Sequence, residues 1–297
     1  MNPIHMTDQS LINPFASVHT FPTGELTLAY RLFGQGDMTK TPILFVHGLS
    51  YFSWDWVAFG SALCTDRPGC AMDMRGFGDS DNSPRGDYSV PTMSRDIDAL
   101  LDHLGWRRAI IVAHSMGGRS ATYFTSHHPD RVAGLVLVDW SPDNAPSGSR
   151  RVAQTVANTP DIFSDLAELM QYFGEDADSP KGLGRKARFE AYSRTVPGGL
   201  EIKRDPYFRN QFKRQLETGE KVSHGADLWK AVRDVQVPTL VLRGTHSDLF
   251  AAETMPKLLN ANPRFRAVEI DAGHHVAGDN PEAALRAIHQ FINEEKI

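Results

Sequence analysis

Ala109-Ile110-Ile111-Val112-Ala113-His114-Ser115-Met116-Gly117-Gly118 is the stretch that decides the fold of this chain. A continuous apolar run leads into a serine with small residues two before and two after it, and a helix-like stretch follows. That pattern reads as a nucleophile elbow, a strand that turns sharply into a helix and holds the serine hydroxyl out at the sheet edge. The small residues let strand and helix approach closely. A serine so placed serves as a nucleophile, although small-x-Ser-x-Gly also arises by chance in plain turns, so the rest of the chain must carry the reading.

Outward from the elbow, Ile43-Leu44-Phe45-Val46, Cys70-Ala71-Met72, Leu135-Val136-Leu137-Val138 and Thr239-Leu240-Val241-Leu242 are further short apolar runs. Such runs fit parallel strands covered on both faces. Helical stretches separate most of them. Met93, Ile97, Leu100, Leu101 and Leu104 recur at helical spacing, with Gly105 where a C-terminal cap belongs. Leu26, Leu28, Tyr30 and Leu32 alternate instead, as in a half-buried strand near an edge. Strand and helix in alternation imply a doubly wound α/β sheet.

The alternation breaks between Trp140 and Arg233, where no strand-like apolar run is evident. Ile162, Leu166, Leu169, Met170 and Phe173 form one helical apolar face there, and Phe208, Phe212 and Leu216 another. An insertion after a strand's carboxyl end lies on the side where open α/β sheets bind ligands, which suits a lid. The expected organisation is therefore a core of residues 1–139 and 234–297 interrupted by a helical cap over 140–233.

With 297 residues the chain can bury a large core. Its 31 basic and 36 acidic residues are nearly balanced, and no basic block is available to track a phosphate backbone. Neither nucleic acid nor an anionic membrane is expected as a partner. Cys64 and Cys70 are too few for a disulfide framework and read as two reduced thiols. Met1 to Asp8 lacks the basic and apolar regions of a signal peptide, and no run has membrane-spanning length. A soluble, cytoplasmic protein is the expectation. No nucleotide-cradling glycine motif or zinc spacing is present, so no cofactor and no metal are expected.

A serine hydroxyl needs a base within hydrogen-bond reach and a carboxylate to orient that base. Asp248 follows the strand-like Thr239–Leu242 run, and Gly273-His274-His275 follows Ala267-Val268-Glu269-Ile270. Serine, acid and histidine would thus share one sheet edge. The oxyanion formed on attack needs two backbone donors, expected from Met116, directly after the serine, and from Leu49, after the turn at Gly48.

These residues together resemble the α/β-hydrolase superfamily. Val46-His47-Gly48 is similar to its oxyanion-loop strand, and Asp73-Met74-Arg75-Gly76-Phe77-Gly78-Asp79-Ser80 to the loop after its next strand. His114-Ser115-Met116-Gly117-Gly118 resembles its elbow, with Ala113 in place of the first glycine, and Gly273-His274 with Asp279-Asn280-Pro281-Glu282 resembles its histidine loop. The resemblance implies an α/β-hydrolase fold with a mostly parallel eight-stranded sheet and a helical cap. It implies a cofactor-independent, carboxylesterase-like serine hydrolase with Ser115, Asp248 and His274 as its triad. The implied substrate is a small carboxylic ester, with lactone, thioester and amide as neighbours. A carbon–carbon bond hydrolase of ring-cleavage products, an accompanying perhydrolase activity and a non-catalytic ligand-binding member remain as alternatives.

Several residues have rivals. Asp139, ending the Leu135–Val138 run, competes with Asp248, which the commoner arrangement in the superfamily favours; Asp139 would then cap the insertion's first turn. His275 competes with His274, which Gly273 and the spacing to Pro281 favour. Asp73 and Arg75 are expected to hold their loop rather than react. Trp54, His114 and Trp140 are the candidate substrate contacts, with packing as the alternative for Trp54 and His114.

Overall fold

The computed structural model describes residues 17–34, 36–220 and 223–297, so the Met1 to Asp8 stretch lies outside the described residues. Its central sheet runs, in spatial order, β1 (His19–Pro22), β2 (Thr27–Phe33), β4 (Gly69–Asp73), β3 (Ile43–Val46), β5 (Ala109–His114), β6 (Val132–Val138), β10 (Thr239–Gly244) and β11 (Phe265–Ile270). β2 is antiparallel to β1 and β4, and all other neighbours are parallel. β3 to β6 are buried at every position, which is why their sequences are continuous apolar runs.

Successive side chains of a strand point to opposite faces, so each run feeds two cores. Leu44, Val46, Ile111, Ala113, Leu135 and Leu137 enter one hydrophobic cluster. Ile43, Phe45, Ile110, Val112, Val136 and Val138 enter the other. The first is covered by α2 (Val90–His103), α3 (Met116–His127), α8 (Leu228–Asp234) and α9 (Thr254–Ala261). The second is covered by α1 (Val57–Leu63), α10 (Val276–Asp279) and α11 (Pro281–Glu295). α2 ends as its sequence implies, with Gly105 at φ +67° beyond the last turn. Cys64 and Cys70 are buried free thiols.

Between β6 and α8 lie α4 (Pro146–Asn158), β7 (Ile162–Phe163), α5 (Leu166–Tyr172), α6 (Pro180–Tyr192), β8 (Ser193–Val196), β9 (Gly199–Ile202) and α7 (Pro206–Thr218). Beside its helices α4 to α7 the insertion holds short strands that the sequence did not reveal: β7, β9 and β8 form a three-stranded antiparallel sheet. These strands have two to four residues and face solvent on one side, so they leave no apolar run to read. Ile162 belongs to β7 rather than to a helical face. Phe163, Leu169, Met170, Phe189, Tyr192 and Ile202 pack with Phe52 as a third, smaller core. α8 packs against α3, so the helix layer of the main sheet resumes at Leu228, slightly before residue 234.

The insertion docks on loops that leave the carboxyl ends of the main strands. Gly78 N–H donates to the Lys203 carbonyl and Asp205 N–H to the Gly76 carbonyl, at 2.9 and 2.8 Å. Arg188 clasps Asp55 after β3, at 2.6 and 3.0 Å, and Arg151 clasps Asp248 after β10, at 2.5 and 2.8 Å. Main chain and ion pairs together hold the insertion above the sheet edge that carries the elbow.

Candidate active site

Ser115 lies between β5 and α3 with φ +50° and ψ −119°, a strained conformation for a residue with a side chain. Its N–H donates to the Val138 carbonyl at 3.1 Å, which anchors the turn to the neighbouring strand. Close approach explains the glycine two residues on. A Cβ on Gly117 would lie 2.5 Å from the His47 carbonyl oxygen and 2.8 Å from that of Val46, so any larger residue would drive α3 away from β3. Ala113, by contrast, is a fully buried member of β5 paired with Val46, and its methyl is accommodated.

His274 comes from the loop after β11. Its Nε2 lies 2.9 Å from Ser115 Oγ and its Nδ1 2.5 Å from Asp139 Oδ2. One nitrogen accepts while the other donates, the tautomer a serine-activating base requires. The structure brings His274 to Ser115, whereas the His275 ring packs on Tyr51.

The expectation for the acid is corrected. Asp248 does not reach His274; it stands in a partly exposed loop bound bidentately by Arg151, which holds its carboxyl below the usual range. Asp139 takes the place beside the histidine. β6 is the strand next to β5, so the residue directly after it arrives beside the elbow, whereas Asp248 lies four residues beyond β10. Asp139 adopts φ +45° to turn its carboxylate inward, where it is 2% exposed. Besides His274 it accepts from Gly244 N–H at 2.9 Å and from Ser247 Oγ–H at 2.5 Å. Ser247 was not singled out by the sequence, and only its place on the loop after β10 reveals it.

On the opposite side, a Cβ on Gly48 would fall 2.7 Å from His114 Nδ1 and 3.1 Å from Ser115 Cβ, so the loop carrying Leu49 passes directly against the elbow. His47 fixes that loop, its Nδ1 bonded to the Gly48 carbonyl and its Nε2 accepting from Met74 N–H, at 2.7 and 2.9 Å. Met116 opens α3 immediately after Ser115. Asp73 accepts from Ser53 N–H and Asp79 N–H, and Arg75 binds Asp96 at 2.6 and 2.7 Å, so both hold loops as their sequence context implies.

The three candidate substrate contacts are packed side chains. His114 is 4% exposed; its Nε2 donates to the His274 carbonyl at 3.0 Å, and burial keeps it well below its ordinary pKa, hence neutral. Trp140 is buried against Gly118. Trp54 packs against the third core with the Arg31 guanidinium 5.2 Å from its ring.

A family model for the alpha/beta hydrolase fold matches residues 41–281. The chain belongs to the alpha/beta hydrolase family. It is 28% identical to the 2-(acetamidomethylene)succinate hydrolase of Mesorhizobium japonicum over 271 residues, 91% of this chain and 93% of that protein. It is 24% identical to the esterase YbfF of Escherichia coli over 262 residues, 88% of this chain and 96% of that one. The crystal structure of E-2-(acetamidomethylene)succinate hydrolase superposes with a TM-score of 0.79 at 28% identity, covering 93% of this chain and 99% of its own. Within this alpha/beta hydrolase the described residues contain no helix long and apolar enough to cross a membrane. Relatives named as hydrolases and esterases support hydrolysis as its general chemistry.

Proposed function

We propose that this protein is a serine hydrolase of small carboxylic esters, working through an acyl-serine intermediate. The observation that carries the reading is the continuous hydrogen-bonded chain Ser115 Oγ, His274 Nε2, His274 Nδ1, Asp139 Oδ2. Ser115 Oγ forms the bond to the acyl carbonyl carbon while its proton passes to His274 Nε2. Asp139 stabilises the resulting imidazolium and keeps its orientation. The oxyanion is held by the N–H groups of Leu49 and Met116, each such donor typically contributing about 3 kcal/mol. His274 then returns the proton to the departing alkoxide, and water releases the acyl group by the same steps in reverse order.

A nucleophilic serine rather than an aspartate at position 115 favours acyl chemistry over epoxide opening or dehalogenation. Carbon–carbon bond cleavage uses the same triad and is the second reading, since the relative acting on 2-(acetamidomethylene)succinate shows that substrates in this family reach beyond simple esters.

The test is a fluorophosphonate probe with mass-spectrometric mapping, run beside p-nitrophenyl ester hydrolysis. Modification at Ser115, ester turnover, and a loss of about 1,000-fold or more in kcat in Ser115→Ala are expected. Turnover retained in that variant overturns the reading.

A further inference from the structure

Arg119 stands apart from the other arginines of the interior. Arg31, Arg75, Arg188, Arg204 and Arg243 each face an aspartate or glutamate within 3.7 Å. Arg119 is half-buried on the elbow helix α3, and among the described residues its side chain meets no carboxylate. Its one hydrogen-bonding contact there is Nη1 to His224 Nδ1, at 3.3 Å. The His224 carbonyl in turn accepts from Val90 N–H, which ties that segment to the start of α2. His224 is pushed down to about 4 by burial and by the arginine's charge, so it offers a neutral acceptor and no compensating charge. Arg119 itself is lowered to about 10 by burial and still carries its proton at neutral pH.

A half-buried cation with no counter-ion among the described residues is only partly hydrated, and an anion beside it would offset that loss. The placement makes a substrate the natural supplier. Residues four apart on a helix share one face, so Arg119 stands one turn after Ser115, the N-cap residue of α3. It also lies at the seam between the main sheet's helices and the chain returning from the insertion, at His224. A second donor beside the same helix has no hydrogen-bond partner among the described residues: the indole Nε1 of Trp140, buried against Gly118. The acid of the site, Asp139, is committed to His274, Ser247 and Gly244.

We propose that Arg119 recognises an ionised carboxylate on the substrate, so that the ester brought to Ser115 is an anionic one, such as the half-ester of a dicarboxylic acid. This rests on Ser115 being the nucleophile. One helical turn is about 5.4 Å, which sets a spacing of a few carbons between the ester carbonyl and the carboxylate.

Two measurements test it together. The first compares kcat/KM for monoethyl adipate and diethyl adipate, which share acyl chain and leaving group and differ in the free carboxylate. Wild type is expected to favour the half-ester at least tenfold, and Arg119→Gln to lower that ratio at least tenfold, chiefly through KM. Arg119→Lys should restore part of it, and a thermal melt of each variant verifies folding. The second is calorimetric titration with adipate dianion, which needs no turnover: binding to wild type and its loss in folded Arg119→Gln are expected. A wild-type ratio near one, an unchanged ratio in Arg119→Gln, or no adipate binding overturns the carboxylate site. Diethyl adipate turnover that depends on Ser115 would then leave the hydrolase reading standing. Adipate binding without turnover of either ester would remove the hydrolase reading and keep the anion site.

Discussion

His274 Nδ1 lies 2.5 Å from Asp139 Oδ2, so the acid of the candidate triad follows β6, while Asp248 after β10 is bound to Arg151. Asn in place of Asp139 would favour the wrong imidazole tautomer, and kcat should fall by about 10⁴-fold, as for triad aspartates elsewhere. Asp248→Asn should change kcat less than about threefold. Steady-state ester kinetics on the two variants separate the assignments, and the reverse ranking would return Asp248 to the site.

Ser247 Oγ donates to the carboxylate oxygen that faces His274. Hydrogen bonds to charged groups contribute about 1.5–3 kcal/mol, so Ser247→Ala should lower kcat roughly tenfold or more with little change in KM. An unaltered kcat would mean that Gly244 N–H alone holds the carboxylate in place.

The ion pairs between insertion and core differ in burial, and their contributions should differ accordingly. Asp55 and Arg188 are 11% and 16% exposed, and Arg188 also lies over the rings of Phe52 and Tyr192. Arg188→Ala strands a buried carboxylate and should cost about 3 kcal/mol or more in urea unfolding. Arg151→Ala, at an exposed pair, should cost under about 1 kcal/mol. Equal losses would show that burial does not set the ranking.

Acid should destabilise the fold well before its carboxylates titrate. His47, His114, His224 and His275 all have lowered pKa values, burial being the first cause in each, and His224 lies at about 4. Below the unfolded value near 6.5 the unfolded chain takes up protons that the folded chain refuses, so stability falls as pH drops from about 6.5 towards 4. Each fully buried histidine, His47 and His114 foremost, contributes a slope of up to about 1.4 kcal/mol per pH unit in that window. Urea midpoints between pH 7.5 and 4.5 should show the decline, and His114→Asn should flatten it. A flat profile would mean that these rings protonate in place.

The sequence by itself determined the architecture and two members of the candidate triad. Apolar runs such as Ile43–Val46 and Ala109–Val112 must be strands covered on both faces, because each alternates its side chains between two cores. The elbow likewise follows from size alone, since only a glycine at 117 lets α3 meet the carbonyls of β3. The β7–β9–β8 sheet was not legible, because its strands are too short to set up a period. Nor was the acid. Asp139 and Asp248 both stand just beyond apolar strands, and what separates them is strand order together with an arginine from a distant helix. Placing β6 beside β5 brings Asp139 to His274, and docking α4 on the loop after β10 gives Asp248 to Arg151. Local sequence fixes which groups a strand end presents; which partner each group meets depends on contacts made across 135 residues for Asp139 and 97 for Asp248. Those contacts exist only once the sheet is assembled.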